Sequence, residues 1–284
     1  MNPALTVLRR DIALSSARKQ KVDHPHLLMC APEFFGIEYE INVWMDVNNP
    51  CDKELAHTQW IRLKRTLEKL GAHIHLIEPA REPDLVFTAN AGLVYDNIFI
   101  PSRFRFPERQ GEEKYNKKWF ADAGFEIKEV PEGVFFEGAG DALFAGDTLF
   151  AGYGFRTQVE AYDHIHRILG CKVVPLQLKD PRFYHFDTCF CPLNDHQAIY
   201  FPGAFTDESV ELINKHLEAF AVPEADAALY ACNAVVIGNT VVHQAGCAET
   251  QEILHRAGFE SRPVDMGEFR KSGGSSKCLT IKLN

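Results

Sequence analysis

The sequence predicts an α/β protein built as a closed, five-bladed β/α propeller with pseudo-five-fold ββαβ repeats. Short apolar runs come in pairs flanking Asn, Asp and Gly, the local pattern of a tight hairpin. The pairs recur about every 45–50 residues, a spacing typical of repeat architectures. Between them lie helix-like stretches followed by one more apolar run, the alternation expected of α/β proteins.

Leu27–Cys30 is the first apolar run. A helix is predicted over Glu54–Leu70 from its apolar spacing (Leu55, Ile61, Leu63, Leu67, Leu70) and its stop at Gly71, and His73–Ile77 reads as the strand after it. The first hairpin pairs Gly92–Tyr95 with Ile98–Ile100 around Asp96-Asn97. The second pairs Ala142–Phe144 with Thr148–Phe150 around Gly146-Asp147, followed by a helix over Thr157–Leu169 and a strand at Lys172–Val174. The third pairs Thr188–Leu193 with Ala198–Phe201 around Asn194-Asp195, with a helix over Ser209–Phe220. The fourth pairs Ala234–Ile237 with Val241–His243 around Gly238-Asn239, with a helix over Thr250–His255. One further step lands on Cys278–Leu283, read as a strand that pairs with Leu27–Cys30 and closes the circle. Residues 1–25 fall outside the scheme as an N-terminal extension, a surface helix or a mobile arm, and no low-complexity linker divides 26–284, which reads as a single domain.

Composition narrows the partners. Of 284 residues, 46% are hydrophobic and 24% charged, an ordinary globular balance. The net charge of -9 argues against nucleic acid or an anionic membrane as partner and leaves a small cationic substrate open. Asp11 and Ser15-Ser16 interrupt any apolar signal core behind Arg9-Arg10, and no stretch reaches the roughly 18–20 apolar residues of a membrane span. Eight cysteines without a C-x-x-C pair fit a reducing cytoplasm, where most thiols act as small buried hydrophobes. Cys189 with Cys191, His73 with His75 and His164 with His166 complete no ligand set, so neither a metal nor a cofactor is expected. A homo-oligomer is compatible with the sequence.

Polar residues collect just before each hairpin: Thr88-Ala-Asn90, Phe136-Glu-Gly-Ala-Gly-Asp141, His185-Phe-Asp187, Ala231-Cys232 and Gly273-Gly-Ser-Ser-Lys-Cys278. Equivalent blades would bring these segments to one end of the central axis, converging an amide, carboxylates, a His–Asp pair and a thiol on one pocket. Two glycines and two serines before Cys278 let the backbone bend and expose amide N–H groups, which with Lys277 favour a thiolate or a developing negative charge.

On these residues the chain resembles the guanidino-group modifying enzymes, which include arginine deiminase, dimethylarginine dimethylaminohydrolase and arginine amidinotransferase and adopt the pentein form of the five-bladed propeller. The resemblance runs from about Leu27 to the C-terminus. It is nearest to the arginine dihydrolases of cyanobacterial type through Tyr39-Glu-Ile-Asn42, Phe87-Thr-Ala-Asn90-Ala-Gly92, Phe136–Asp141, Gly152-Tyr-Gly-Phe-Arg156, His185-Phe-Asp187 and Gly274–Cys278. The resemblance implies Cys278 as nucleophile, His185 as general acid and base, and Glu137 as the carboxylate holding a guanidinium beside the histidine. It implies Arg109 and Arg156 as clamps on a substrate carboxylate, and Asn42, Asn90, Asp187 and Asp141 as further substrate-binding positions. Asp141 stands one residue further from Glu137 than in the commoner E-G-G-D form.

The chemistry suits these residue types. A guanidinium is a resonance-stabilised, poor electrophile that calls for a thiolate attacker, with the imidazole protonating the leaving amine and then activating water against the thiouronium adduct. Position 90 distinguishes members: deiminase-like and dimethylarginine-hydrolysing relatives resemble one another in carrying aspartate there, whereas Asn90 can donate a hydrogen bond to a neutral ureido oxygen. The expectation is therefore hydrolysis of L-arginine by two waters to L-ornithine, carbon dioxide and two ammonia. The alternatives are a dimethylarginine hydrolase, a deiminase or amidinotransferase, and a non-catalytic pentein.

Overall fold

A computed structural model of the chain describes residues 24–284, so the surface helix or arm expected over 1–25 lies, but for its last two positions, outside the described residues. The fold is α/β, with five three-stranded sheets that repeat one connectivity. The first sheet takes strand β1 (His26–Cys30), then helix α1 (Lys53–Lys69), then β2 (His73–Ile77). The second has β3 (Gly92–Tyr95), β4 (Ile98–Pro101), α2 (Glu113–Ala123) and β5 (Glu126–Ile127). The third has β6 (Ala142–Ala145), β7 (Thr148–Tyr153), α3 (Glu160–Leu169) and β8 (Lys172–Gln177). The fourth has β9 (Phe190–Pro192), β10 (Gln197–Tyr200), α4 (Asp207–His216) and β11 (Glu218–Ala221). The fifth has β12 (Val235–Ile237), β13 (Thr240–Gln244), α5 (Ala248–Arg256) and β14 (Glu260–Val264), after which β15 (Ile281–Lys282) returns to the first sheet.

In every sheet the central strand has an antiparallel neighbour on one side and a parallel one on the other. The antiparallel pairs within the second, third and fifth sheets are closed by the turns read from the sequence, with left-handed backbone at Asp96, Gly146 and Gly238. The parallel neighbour needs a crossover, and a helix supplies it each time. The first sheet draws its antiparallel strand from the other end of the chain: Leu28 pairs with Ile281, and Leu27 with Lys282. Helix α1 starts where the Asp52 carboxylate accepts the Leu55 amide, and it buries Ala56, Trp60, Leu63 and Leu67. Interior apolar clusters between sheets and helices are rich in phenylalanine, with Phe150, Phe186, Phe190 and Phe205 gathered in one of them.

Three expectations shift. The run Cys278–Leu283 is a strand only at Ile281–Lys282, because the Cys278 amide bonds the Asn233 side chain instead of a ladder partner. The helix expected from Thr157 begins at Glu160, since the Thr157 hydroxyl already accepts the Glu137 amide and donates to Asp141. The stretch Ser209–Phe220 divides into α4 and β11, whose Glu218–Ala221 pairs in parallel with Gln197–Tyr200. Among the described residues no helix is long and apolar enough to cross a membrane, and no group of three or more His, Cys, Asp or Glu is arranged to hold a metal ion. All eight cysteines are free and seven of them are buried.

Candidate active site

The segments before the hairpins meet, and hydrogen bonds join each to the next. Asn90 Nδ2 donates to the Glu137 carbonyl at 3.2 Å, and the Phe186 amide donates to Asp141 Oδ1 at 3.0 Å. Asn233 Nδ2 donates to the Asp187 carbonyl at 3.1 Å, and Asn233 Oδ1 accepts the amides of Ser275, Lys277 and Cys278 at 3.1, 3.0 and 3.1 Å. The Ala89 amide then donates to the Cys278 carbonyl at 3.0 Å, which returns the path to its start. Close approach is a condition of this circuit: a Cβ at Gly140 would collide with Asn90 Nδ2, and one at Gly273 (φ +86°) would lie 2.6 Å from the Tyr184 hydroxyl.

A narrow cleft opens beside the circuit, and Asn42, Asn90, Arg109, Arg156, His185 and Cys278 all line it. The thiol and the imidazole therefore share one cavity. Glu137, Asp141 and Asp187 are fully buried and are not among the lining residues. Glu137 stands directly behind the histidine: its Oε2 lies 2.6 Å from His185 Nε2 and accepts Arg156 Nη1 at 3.0 Å, while its Oε1 accepts the Arg105 amide at 3.2 Å. Burial alone would raise the Glu137 carboxyl, but the Arg156 charge and the hydrogen bond from His185 outweigh it and hold it below the ordinary carboxylate range. Burial pushes the imidazole down to about 4, against the pull of Glu137. At neutral pH the pair is thus an ionised carboxylate and a neutral imidazole whose Nε2 carries the proton.

Cys278 is 3% exposed, and its Sγ accepts Asn233 Nδ2 at 3.1 Å and lies 3.5 Å from Asp187 Oδ2. Burial, then the Asp187 charge, push the thiol well up, against the Ser275 amide, the Asn233 amide and Lys277. Asp187 itself is pushed up to about 6 by burial, with Lys277 opposing. The resting thiol is accordingly protonated, and a cation entering the cleft would draw it toward the thiolate.

The arginines are held by the protein from behind. Arg109 bonds Glu112 through Nε and Nη2 at 2.7 and 2.9 Å, Asn90 Oδ1 through Nη1 at 3.0 Å and the Asp84 carbonyl at 3.2 Å. Arg156 reaches Glu137 and the Ile41 carbonyl and stacks over the rings of Phe106 and Tyr184, leaving further N–H groups of its fork toward the cleft. Asn42 ties its loop to the Ser272 carbonyl at 3.2 Å. Asp141 bonds the Phe186 amide and the Thr157 hydroxyl (2.6 Å) and does not reach the cleft.

Two residues of this site escape the sequence reading. Asp84 lines the cleft and is 2% exposed; its Oδ2 accepts Tyr39 and lies 3.8 Å from Arg109 Nε, while its Oδ1 has no hydrogen-bond partner among the described residues. Its only sequence cue is an acid placed after Pro83 at the head of an apolar run. Asn233 follows Ala231-Cys232 at the same phase of the repeat as Asn90, so the repeat itself pointed to it.

Comparison with known proteins agrees with this geometry. The family model for eukaryotic N,N dimethylarginine dimethylhydrolase matches residues 37–284. The bifunctional arginine dihydrolase/ornithine cyclodeaminase ArgZ of Synechocystis sp. is 42% identical over 268 residues, covering 92% of this chain and 38% of its own length, so this chain spans well under half of that relative. An N(G),N(G)-dimethylarginine dimethylaminohydrolase of Mycobacterium tuberculosis is 42% identical over 258 residues, covering 90% of this chain and 85% of the relative. The crystal structure of the substrate-bound N-terminal domain of ArgZ, an arginine dihydrolase carrying a cysteine-to-serine substitution, superposes with a TM-score of 0.89 at 42% identity, covering 92% of this chain and 98% of that one. By the family model that matches most of its length and the mycobacterial relative of 42% identity, this chain belongs to the dimethylarginine dimethylaminohydrolase family.

Proposed function

We propose that the protein is a cysteine-dependent hydrolase of guanidino compounds whose substrate is L-arginine, converted with two waters to L-ornithine, carbon dioxide and two ammonia. Cys278 is the nucleophile in this reading. A guanidinium entering the cleft lowers the thiol pKa by its charge, the thiol proton passes to the neutral His185 imidazole as the sulfur attacks the guanidino carbon, and the imidazolium returns that proton to the first ammonia as the carbon–nitrogen bond breaks. The imidazole then takes a proton from water, which breaks the thiouronium carbon–sulfur bond and restores the thiolate. Glu137 keeps the imidazole oriented and electrostatically supports its protonated form, which the short Nε2 contact favours. The unpartnered Oδ1 of Asp84 accepts a cationic group of the substrate, and the N–H groups of Arg156 beyond those bonded to protein take its carboxylate. Asp187 and Asp141 act behind these groups by fixing the loops, and Asn42, on the cleft wall, ties its own loop to Ser272. The closed hydrogen-bond path through Asn90, Asp141, Asn233 and Cys278 supports arranging the five sheets as a single propeller around this site, one domain over 26–284.

The observation that carries the second hydrolysis is Asn90. Its Oδ1 is taken by Arg109 and one N–H by the Glu137 carbonyl, and an amide has a second N–H to offer. That donor suits the neutral ureido oxygen left after the first ammonia departs, where a carboxylate would repel it. The family model and the mycobacterial relative favour the second reading, release of dimethylamine from dimethylarginine. Incubation with arginine and with dimethylarginine, followed by quantification of ornithine, citrulline, ammonia and dimethylamine, separates the two. Ornithine with two ammonia per arginine is expected. Citrulline as sole end product rejects the second step, and dimethylamine without arginine turnover rejects the substrate. Asn90→Asp should stop at citrulline or lose turnover, and unchanged ornithine output from it would refute the role of the amide donor.

A further inference from the structure

A second cavity, about 300 Å³, includes Gln110, the residue after Arg109, in its lining and is at the lower end of the range usual for small-molecule pockets. Ser102, Arg103, Gln110, Glu113, Lys114 and Lys117 are among its walls. Buried polar atoms without partners are rare in folded proteins and ask for an explanation. Among the described residues ten side-chain atoms have this property, and they include Asp84 Oδ1 and Ser272 Oγ on the first cleft and Ser102 Oγ and Arg103 Nε on the second cavity.

The two cavities differ in what they lack. At the first, a carboxylate oxygen whose partner oxygen already faces Arg109 can accept one more donor. At the second, the unpartnered guanidinium Nε–H can only donate and the hydroxyl can donate, so the ligand has to bring acceptor oxygens. The surrounding charges agree. Glu129 is already paired with Lys117 and Arg103, Glu113 accepts the Phe104 amide at 2.8 Å, and Lys114 stacks over Tyr115 with no carboxylate partner among the described residues. We propose that this cavity is a second ligand site, selective for a small molecule bearing a carboxylate or phosphoryl group, with Ser102 Oγ, Arg103 Nε and Lys114 Nζ as its donors. The proposal does not depend on the reaction assigned to the first cleft. Its wall is nonetheless shared: the Ser102 amide bonds the Ala91 carbonyl beside Asn90, and Arg103 pairs through its backbone with Phe136 beside Glu137.

Calorimetric titration of the full chain with inorganic phosphate, and separately with succinate, at ionic strength fixed with chloride, tests it. Saturable binding of one equivalent by either probe is expected, and whichever binds identifies the oxyanion. Loss of a charge-assisted donor should weaken binding about tenfold or more in Arg103→Gln and severalfold in Lys114→Gln. Lys114 is exposed on α2, so its variant reports on the site even where Arg103→Gln lowers the melting temperature. Absence of saturable binding by both probes, or binding that both variants and Ser102→Ala leave unchanged, overturns the assignment.

Discussion

Asp84 and Asp141 are both aspartates within 2% of complete burial, and both carboxyls are pushed up by that burial, yet they serve opposite ends. Asp84 has an oxygen without a partner and faces the cleft. Asp141 has both oxygens bonded, to the Phe186 amide and the Thr157 hydroxyl, and faces the neighbouring sheet. The same contrast separates the two regions they stand in. Cleft residues retain hydrogen-bonding capacity that only a ligand can use, whereas the circuit behind them is satisfied by the protein and fixes where the cleft residues point. Leaving capacity unused in a buried place costs stability, and a folded protein retains it where a ligand compensates.

Substitutions in the two regions should therefore fail in different ways. The largest effect belongs to Cys278→Ser, which keeps the turn held by Asn233 and removes the thiolate: turnover should fall by about 10⁴-fold or more with the melting temperature nearly unchanged. Asp84→Asn should raise KM about ten- to a hundredfold with a smaller change in kcat, and should change thermal stability little, because the amide removes the desolvation cost of a buried carboxyl together with its ion pair to Arg109, 3.8 Å away. Steady-state kinetics beside a thermal melt check both; a stability loss without a KM effect in Asp84→Asn would place that residue with the circuit instead.

Asn233 sits where the regions touch, bonded both to the turn and to the thiol. Asn233→Asp keeps the Oδ1 acceptor for three backbone amides but exchanges the donor at Sγ for a negative charge. The thiol, already well above its ordinary range through burial, should rise further. Because raising a thiol pKa depletes the reactive thiolate, iodoacetamide modification of Cys278 in the free wild type should still be climbing past pH 9. At any fixed pH below that, the variant should react about tenfold more slowly for each added pKa unit. Identical pH–rate profiles for variant and wild type would show that the amide does not stabilise the thiolate.

The extent to which this division could be read from sequence follows from its physics. Hairpin turns are local, so Asp96-Asn97, Gly146-Asp147 and Gly238-Asn239 were legible, and so was the repeat that marks Asn90, Glu137, His185 and Cys278. Whether a polar side chain at the right phase meets a ligand or the next segment is decided by contacts between residues far apart in the chain, as in Asn233 with Cys278, 45 positions on. Sequence phase therefore gathers Asp141 and Asp187 with Asn90 but cannot say that they stand behind the cleft. Strand length is lost for the same reason: nothing local in Cys278–Leu283 reveals that its first amide belongs to a side chain of another sheet.

Asp141→Asn should have the smallest effect. Burial, followed by the charge of Glu137 and then that of Asp187, push this carboxyl well up against the hydrogen bonds from Thr157 and the Phe186 amide, which favours its uncharged form. An amide of the same shape retains an acceptor for Phe186 and can offer a donor to the Thr157 oxygen, so the variant should lose less than about 1 kcal/mol and leave kcat and KM in place. A raised carboxyl also fixes a sign: the native state binds a proton that the unfolded chain releases above its ordinary pKa near 4, so this group opposes folding increasingly as pH rises. Removing it should make stability fall less, or rise more, between about pH 4 and pH 8 than in the wild type. Parallel urea-melt curves across that range would mean that the carboxyl is ionised in the folded protein, and Asp141 would then belong with the charged groups of the site.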